Sequence, residues 1–252
     1  MSEPAPHHRF AGLTYESFRA MAHDPTLSPN ERSGFPDSLR DGAEGAILAD
    51  IETKLPALAR RRAVVVDIGC GASPLTFAIR DLCAQRNHEL VLVDSPEVLA
   101  YHDSVDRVHL LPGRFPEVPA LLDGWGSKCD AVIVYSVIQY AFVGASVFDF
   151  VDRVLGLLCP KGRALVADIP NASMRRRFLA SDAGREHHRV YMRTDEDPPL
   201  PWPALPVGEL DDAVTMALLT RARDAGFHAW VLPQPSTLPM ANRREDVLFE
   251  RP

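Results

Sequence analysis

The stretch VVVDIGCGASPLT, Val64 to Thr76, runs three β-branched residues into an acid, then a Gly-x-Gly pair, then Ser73-Pro74. β-Branched side chains favour a pleated, buried strand. Pro74 suits the first turn of a helix, where its missing N–H is no loss. The segment therefore predicts a strand that ends in a glycine turn and feeds a helix N-terminus. Backbone N–H groups in such a turn cradle nucleotide-like ligands. The glycines alone do not say which ligand.

Outward from this stretch the pattern is regular. ELVLVD and RVHLLPG read as a second and third strand, CDAVIVYS as a fourth and GRALVADIP as a fifth. Between them, PLTFAIRDLCAQR, PEVLAYHD, FPEVPALLDG and VFDFVDRVLGLL read as helices. Near-continuous apolar strands alternating with helices predict a doubly wound α/β fold, a mostly parallel sheet covered on both faces. LDDAVTMALLTRARDAG adds a helix, and FHAWVLP and REDVLFERP add two last strands.

Two regions interrupt the alternation. Residues 1–60 read as an N-terminal helical cap, with Tyr15, Phe18 and Met21 at helical spacing and a second helix over Asp41–Leu58. Residues 61–252 form the main domain. Within it, about 170–208 reads as an inserted lid with no regular period beyond a short helical start at Ala172–Leu179.

At 252 residues and 46% apolar composition, the chain can bury the core that one such domain needs. Its net charge of -7 argues against a nucleic-acid binder that works by neutralising phosphates. Cys70, Cys83, Cys129 and Cys159 are widely spaced, so neither a zinc site nor a disulfide framework is expected. The opening MSEPAPHHRFAG carries no secretory pattern, and no apolar run is long enough to span a bilayer. A cytoplasmic protein acting on a small molecule is the expectation, with no membrane partner; a homodimer is left open.

The acids beside the turn narrow the ligand. Asp67 sits two residues before Gly69, where a carboxylate repels a pyrophosphate. The third glycine of a dinucleotide motif is also missing. A ligand with an ammonium group in place of phosphates suits Asp67, and S-adenosylmethionine is one. Asp94 ends the second strand about 25 residues further on, where a carboxylate accepts hydrogen bonds from ribose hydroxyls.

The series VVVDIGCGASPLT, LVLVD, LLPGRF, CDAVIVYSVIQY and GRALVADIP resembles the class I S-adenosylmethionine-dependent methyltransferases. The resemblance covers about Ala63 to Asp168, plus the final helix and two strands. It implies a Rossmann-like, seven-stranded sheet whose last strand runs antiparallel beside the edge. It implies that Asp67 holds the methionine amino group, that Gly69 and Gly71 let the backbone approach the cofactor, and that Asp94, with Ser95 beside it, holds the ribose. Gly113, Arg114 and Phe115 would meet the adenine, with Arg114 where a small acid is common. Tyr135 and Ser136 would line the methionine half, and Gln139 and Tyr140 would face the acceptor. Tyr15, Phe35 and Arg40 would close from the cap, Arg40 meeting the methionine carboxylate.

The acceptor is set by what is missing and by the lid. No Asn/Asp-Pro-Pro-Tyr stretch follows the fourth strand, and the DPP at Asp197–Pro199 stands in another element. Tyr135 stands where magnesium-dependent relatives place a carboxylate opposite Asp168, so no metal is expected. The lid carries RRR (Arg175–Arg177) and REHHRVYMR (Arg185–Arg193) in an otherwise acidic chain. His187 or His188 would serve as general base for a hydroxyl. Arg175, Arg189 and Arg193, with Tyr191, would hold a phosphate or carboxylate on the acceptor. O-methylation of a sugar, nucleotide-sugar or other anionic metabolite follows as the expectation. A non-catalytic S-adenosylmethionine-binding subunit, an N- or carboxyl-methyltransferase and an NAD-dependent oxidoreductase are the rival readings.

Overall fold

A computed structural model describes residues 12–200 and 208–252, together with residue 10. In chain order the N-terminal part gives α1 (Tyr15–Ala22), α2 (Pro29–Arg32), α3 (Asp37–Arg40) and α4 (Glu44–Lys54). The alternating part follows as β1 (Val64–Ile68), α5 (Pro74–Arg86), β2 (Glu89–Asp94), α6 (Pro96–Leu99), β3 (Val108–Pro112), α7 (Pro119–Trp125) and β4 (Cys129–Tyr135). Next come α8 (Ile138–Gly144), α9 (Val147–Leu157), β5 (Leu158–Pro170), α10 (Ala172–Ala180) and α11 (Asp182–Met192). The chain closes with α12 (Asp212–Asp224), β6 (His228–Pro233) and β7 (Arg244–Glu250).

The seven strands form one sheet in the order β3-β2-β1-β4-β5-β7-β6. The first five are parallel, and β7 runs antiparallel between β5 and β6. The order reverses between β1 and β4, the point where ligands bind in doubly wound sheets. Pairing of Val66 with both Val91 and Val132 sets the register, so Asp67 and Asp94 emerge at the same, carboxyl edge.

Successive residues of each strand point to opposite faces. Val66, Val91, Val132, Val166 and Val247 pack with α9 and α12 on one side. Val65, Leu90, Leu92, Ile133 and Leu165 pack with α4 and α5 on the other. Burying a side chain such as Ile51 or Phe150 from water contributes roughly 1.5–3 kcal/mol.

Four expectations change here. The helix set at Asp41–Leu58 is shorter, ending at Lys54 before a 3-10 turn over Pro56–Ala59, because Pro56 cannot continue an α-helix. α4 also covers a sheet face through Ile47 and Ile51, so only α1–α3 stand over the sheet's edge as a cap. β5 begins at Leu158, ahead of the expected glycine, with a register break against β4 between Cys129 and Ala131. The inserted segment is not irregular: α10 and α11 are consecutive helices, capped by the Asn171 and Ser181 side chains. Residues 201–207 of that segment, with much of its Pro-rich stretch, lie outside the described residues.

No helix among the described residues is long and apolar enough to cross a membrane. No group of three His, Cys, Asp or Glu among them is placed to hold a metal ion.

Candidate cofactor and acceptor site

The site begins with the turn after β1. Gly69 and Gly71 both hold positive φ, 68° and 66°. Glycine adopts that region without steric cost. A Cβ on Gly69 would stand 2.6 Å from Val137 Cγ2, and one on Gly71 3.1 Å from Ser33 Oγ. The Gly69 N–H donates to the Val93 carbonyl at 2.7 Å, tying the turn to β2.

Asp67 and Asp94 differ in their partners. Asp94 accepts from the Gly71 N–H through Oδ2 at 2.9 Å and from the Ser95 N–H through Oδ1 at 2.7 Å. Burial still pushes its carboxyl up to about 6, against the pull of those two donors. Asp67 is 3% exposed and lines the same cavity. Burial, and then the Asp94 charge, push it up to about 7. No hydrogen-bond donor supports it among the described residues. A buried carboxylate without a donor is costly and is a sign of a functional position.

The cavity spans the switch point and is walled by several elements. Gly113, Arg114 and Phe115, after β3, stand on one flank, and Tyr135, which ends β4, with Ser136 and Val137 beyond it, on another. Phe115 meets Phe150 edge to face at 4.7 Å. The Arg114 guanidinium donates to the Gly144 carbonyl at 2.6 Å, which fixes it beside α8. From the cap come Tyr15, Phe18, Phe35 and Arg40, with Phe18 set edge-on to Tyr140 at 4.9 Å.

The cap is tied down at several points. Arg19 grips Glu97 of α6, with Nη2 to Oε1 at 2.6 Å, and this holds the Glu97 carboxyl down at about 2. The Tyr101 hydroxyl donates to the Ala22 carbonyl at 2.6 Å. Deeper in, Arg40 pairs with Asp168 and donates to Ser136 Oγ at 2.9 Å and to the Tyr135 hydroxyl at 3.3 Å. Its guanidinium lies 4.0 Å over the Phe35 ring. Asp168 also accepts from Ser136 and, at 2.9 Å, from Arg244. Its backbone N–H donates to Asp246 at 2.9 Å, and Asp246 in turn meets Lys54 at 2.7 Å.

Several sequence expectations are corrected by this geometry. Ser95 does not line the cavity: it is fully buried and caps α6, accepting from the Val98 N–H at 3.3 Å. Gln139 also turns away, its side chain donating to the Ser136 carbonyl at 2.7 Å, while Tyr140 stays in the wall. Arg40 does line the cavity, but its charge is already engaged by Asp168.

The lid residues stand apart from this cavity wall. His187, His188, Arg175, Arg189, Tyr191 and Arg193 do not line the cavity. The reason is local: α11 packs on α10, with His187 against Phe178 at 5.6 Å and stacked on Tyr191 at 5.8 Å. Arg189 pairs with Asp197 at 2.7 Å, and Arg193 ends α11 in a left-handed conformation. No imidazole lines the cavity among the described residues. Phe18, Val137 and Arg244 are participants that the sequence reading missed. The Arg243-Arg244 doublet entering the last strand was the visible signal for Arg244.

No protein-family profile matches the chain, and no curated protein matches it. Solved structures do. The plantazolicin methyltransferase, solved with a triazolic desmethylPZN analogue and S-adenosylhomocysteine, aligns over 98% of this chain and 99% of its own, with a TM-score of 0.58 and 12% identity. The chain has the class I methyltransferase fold. Two further structures with this methyltransferase fold align over almost all of the present chain. The putative O-methyltransferase of Nostoc punctiforme aligns over 99% of this chain and 70% of its own, with a TM-score of 0.54 and 16% identity. The 1,6-didemethyltoxoflavin N1-methyltransferase of Burkholderia thailandensis covers 100% of this chain and 92% of its own, at 0.53 and 17%. In the methyltransferase fold of the present chain, the unpartnered Asp67 and the two glycines stand at the switch point between β1 and β4.

Proposed function

We propose that the chain is a methyltransferase that uses S-adenosylmethionine to methylate a small acceptor, most simply at oxygen. The observation that carries this reading is Asp67: a buried carboxylate without a donor among the described residues, beside two glycines held at positive φ. An ammonium group supplies the missing donors and charge. When bound, S-adenosylmethionine supplies an electrophilic methyl group on a sulfonium.

The chain's own residues then bind and orient. Asp67 receives the amino group, and the Gly69–Gly71 backbone comes close to the cofactor. Asp94 keeps acceptor capacity for ribose hydroxyls beyond its two backbone donors. Phe115 and Arg114 flank the adenine end. Phe18, Phe35, Tyr135 and Tyr140 exclude water from the acceptor side and fix the line of approach, which is where proximity accelerates a displacement.

Among the described residues, no histidine lines the cavity to act as a base. Burial pushes the phenols of Tyr135 and Tyr140 above their ordinary value, so neither takes a proton at neutral pH. This favours an acceptor that needs no strong base, such as a carboxylate or an acidic hydroxyl, over a sugar hydroxyl. An amine is the second reading, favoured by the same lack of an imidazole among the described residues of the cavity wall.

The test is calorimetric titration with S-adenosylhomocysteine of the wild type, Asp67→Ala and Asp94→Ala. Saturable binding that weakens in both variants supports the reading. Binding of NAD in its place overturns it. Transfer of a labelled methyl group to a panel of carboxylates, acidic phenols and amines then separates an enzyme from a non-catalytic binding subunit.

A further inference from the structure

Outside the cavity wall, Arg175 and Arg243 carry charges with no acidic partner among the described residues, next to Arg244, which Asp168 already engages. Arg243 precedes β7; its N–H donates to the Met240 carbonyl at 2.9 Å, and its carbonyl accepts from the Asn171 N–H at 3.0 Å. Asn171 caps α10, and the Arg175 N–H donates to the Asn171 carbonyl at 2.9 Å. Arg243 therefore stands at the start of α10, one turn from Arg175. It is half-buried, and burial together with Arg244 and Arg175 depresses its guanidinium.

The carboxylates at this end of the sheet are taken. Asp212 is held by Arg177 at 2.5 Å and by Asn171 at 2.9 Å. Glu245 accepts from Asn171 at 2.6 Å and Thr215 at 2.9 Å. Asp168 is shared by Arg40, Ser136 and Arg244. Neither Arg175 nor Arg243 has an acidic partner among the described residues. A half-buried cation beside two others is unfavourable without an anion. The neighbouring side chains on α11 are Tyr191, close enough for the Arg243 charge to act on it, and His187 stacked upon it. Arg244 links the group to the cavity, its guanidinium 5.5 Å from the ring of Phe35 in the cavity wall.

We propose that Arg175 and Arg243 together hold an oxyanion, a carboxylate or phosphate group carried by the acceptor at a distance from the methylated atom. Guanidinium groups pair such groups in bidentate fashion. The oxyanion replaces the counter-charge that the fold leaves out. Its assignment to the acceptor rests on the methyltransferase reading; the anion site does not.

His187 provides the readout. Burial, and then Arg243 and His188, lower its pKa. An anion bound at Arg243 cancels part of that effect and raises the His187 midpoint. The experiment is a proton NMR titration of the histidine rings in inorganic phosphate, in acetate, and in chloride at matched ionic strength. His187 is assigned by loss of its signal in His187→Gln. The ring of His88, which accepts from the Ala63 N–H at 2.9 Å on the remote side of the sheet, reports that each protein is folded.

Phosphate or acetate is expected to raise the His187 midpoint saturably, and the rise is expected to vanish in Arg175→Gln/Arg243→Gln. The anion that acts names the group on the acceptor. Identical titrations in all three salts overturn the site, as does a rise that persists in the double variant. Calorimetry with S-adenosylhomocysteine is independent of this readout, so failure of the cofactor reading and failure of the anion site are told apart.

Discussion

The backbone N–H of Gly71 donates to Asp94 Oδ2 at 2.9 Å, so the turn after β1 and the carboxylate that ends β2 are one mechanical unit. Asp67, on the near side of the same turn, shares the cavity with Asp94 but none of its donors. Two acids a few residues from one turn thus have different tasks. One is braced in advance and the other waits for a partner.

Asp67→Asn should stabilise the empty protein while weakening the ligand. The folded pKa of about 7 lies above the ordinary value of 3.8, so the empty fold prefers the protonated acid. Stability therefore falls as pH rises from about 4 to 7 and stays low above that. At pH 8 the variant should gain roughly 1–3 kcal/mol in denaturant unfolding. Binding of S-adenosylhomocysteine should weaken tenfold or more. An unchanged empty-state stability would remove the argument from burial.

Affinity for S-adenosylhomocysteine should depend on pH through the same group. An ammonium beside Asp67 lowers its pKa in the complex, so below about 7 binding must release a proton. Affinity should fall as pH drops below 7 and level off above it, until the ligand's own amine deprotonates. Calorimetry in buffers of different ionisation enthalpy measures the proton count directly. In Asp67→Asn this dependence should be lost.

Gly69→Ala should cost about 1–3 kcal/mol and abolish cofactor binding. Two effects add there: a positive φ of 68°, and a Cβ placed 2.6 Å from Val137 Cγ2. Adding Val137→Ala removes the contact and leaves the backbone strain. The double variant should thus regain only part of the lost stability in thermal unfolding.

Arg40→Met should cost about 3 kcal/mol, because it strips one of two guanidinium partners from the buried Asp168. Asp168→Asn in that background should recover part of the loss. A full additive loss in the double variant, measured in denaturant, would show that the pair is not coupled.

The strand ends that frame the cavity were legible because each lies at the close of a continuous apolar run with an unambiguous length. Asp67 and Asp94 are such ends. α8 was not legible, since SVIQYAFVG continues the apolar run of β4 and periodicity alone does not divide a buried strand from a buried helix. α11 was hidden by its composition: Gly184 and a charged surface obscure the stripe that His187 and Tyr191 form at i and i+4. The Arg40–Asp168 pair joins residues far apart in the chain, and no local pattern carries such a pairing. The histidines erred in another way: residue type announced a chemistry, but the packing of α11 on α10 decides where it is presented.

The placement of β7 bears on how the molecule is made. The strand that comes latest in chain order is an inner strand, and β6 has no other neighbour in the sheet. During synthesis β6 waits unpaired, and Asp168 lacks both Arg244 and the backbone tie to Asp246. The β1–β2 half of the cavity can be in place before then. The Asp168 side of the cavity is therefore completed last, by the arrival of a single strand.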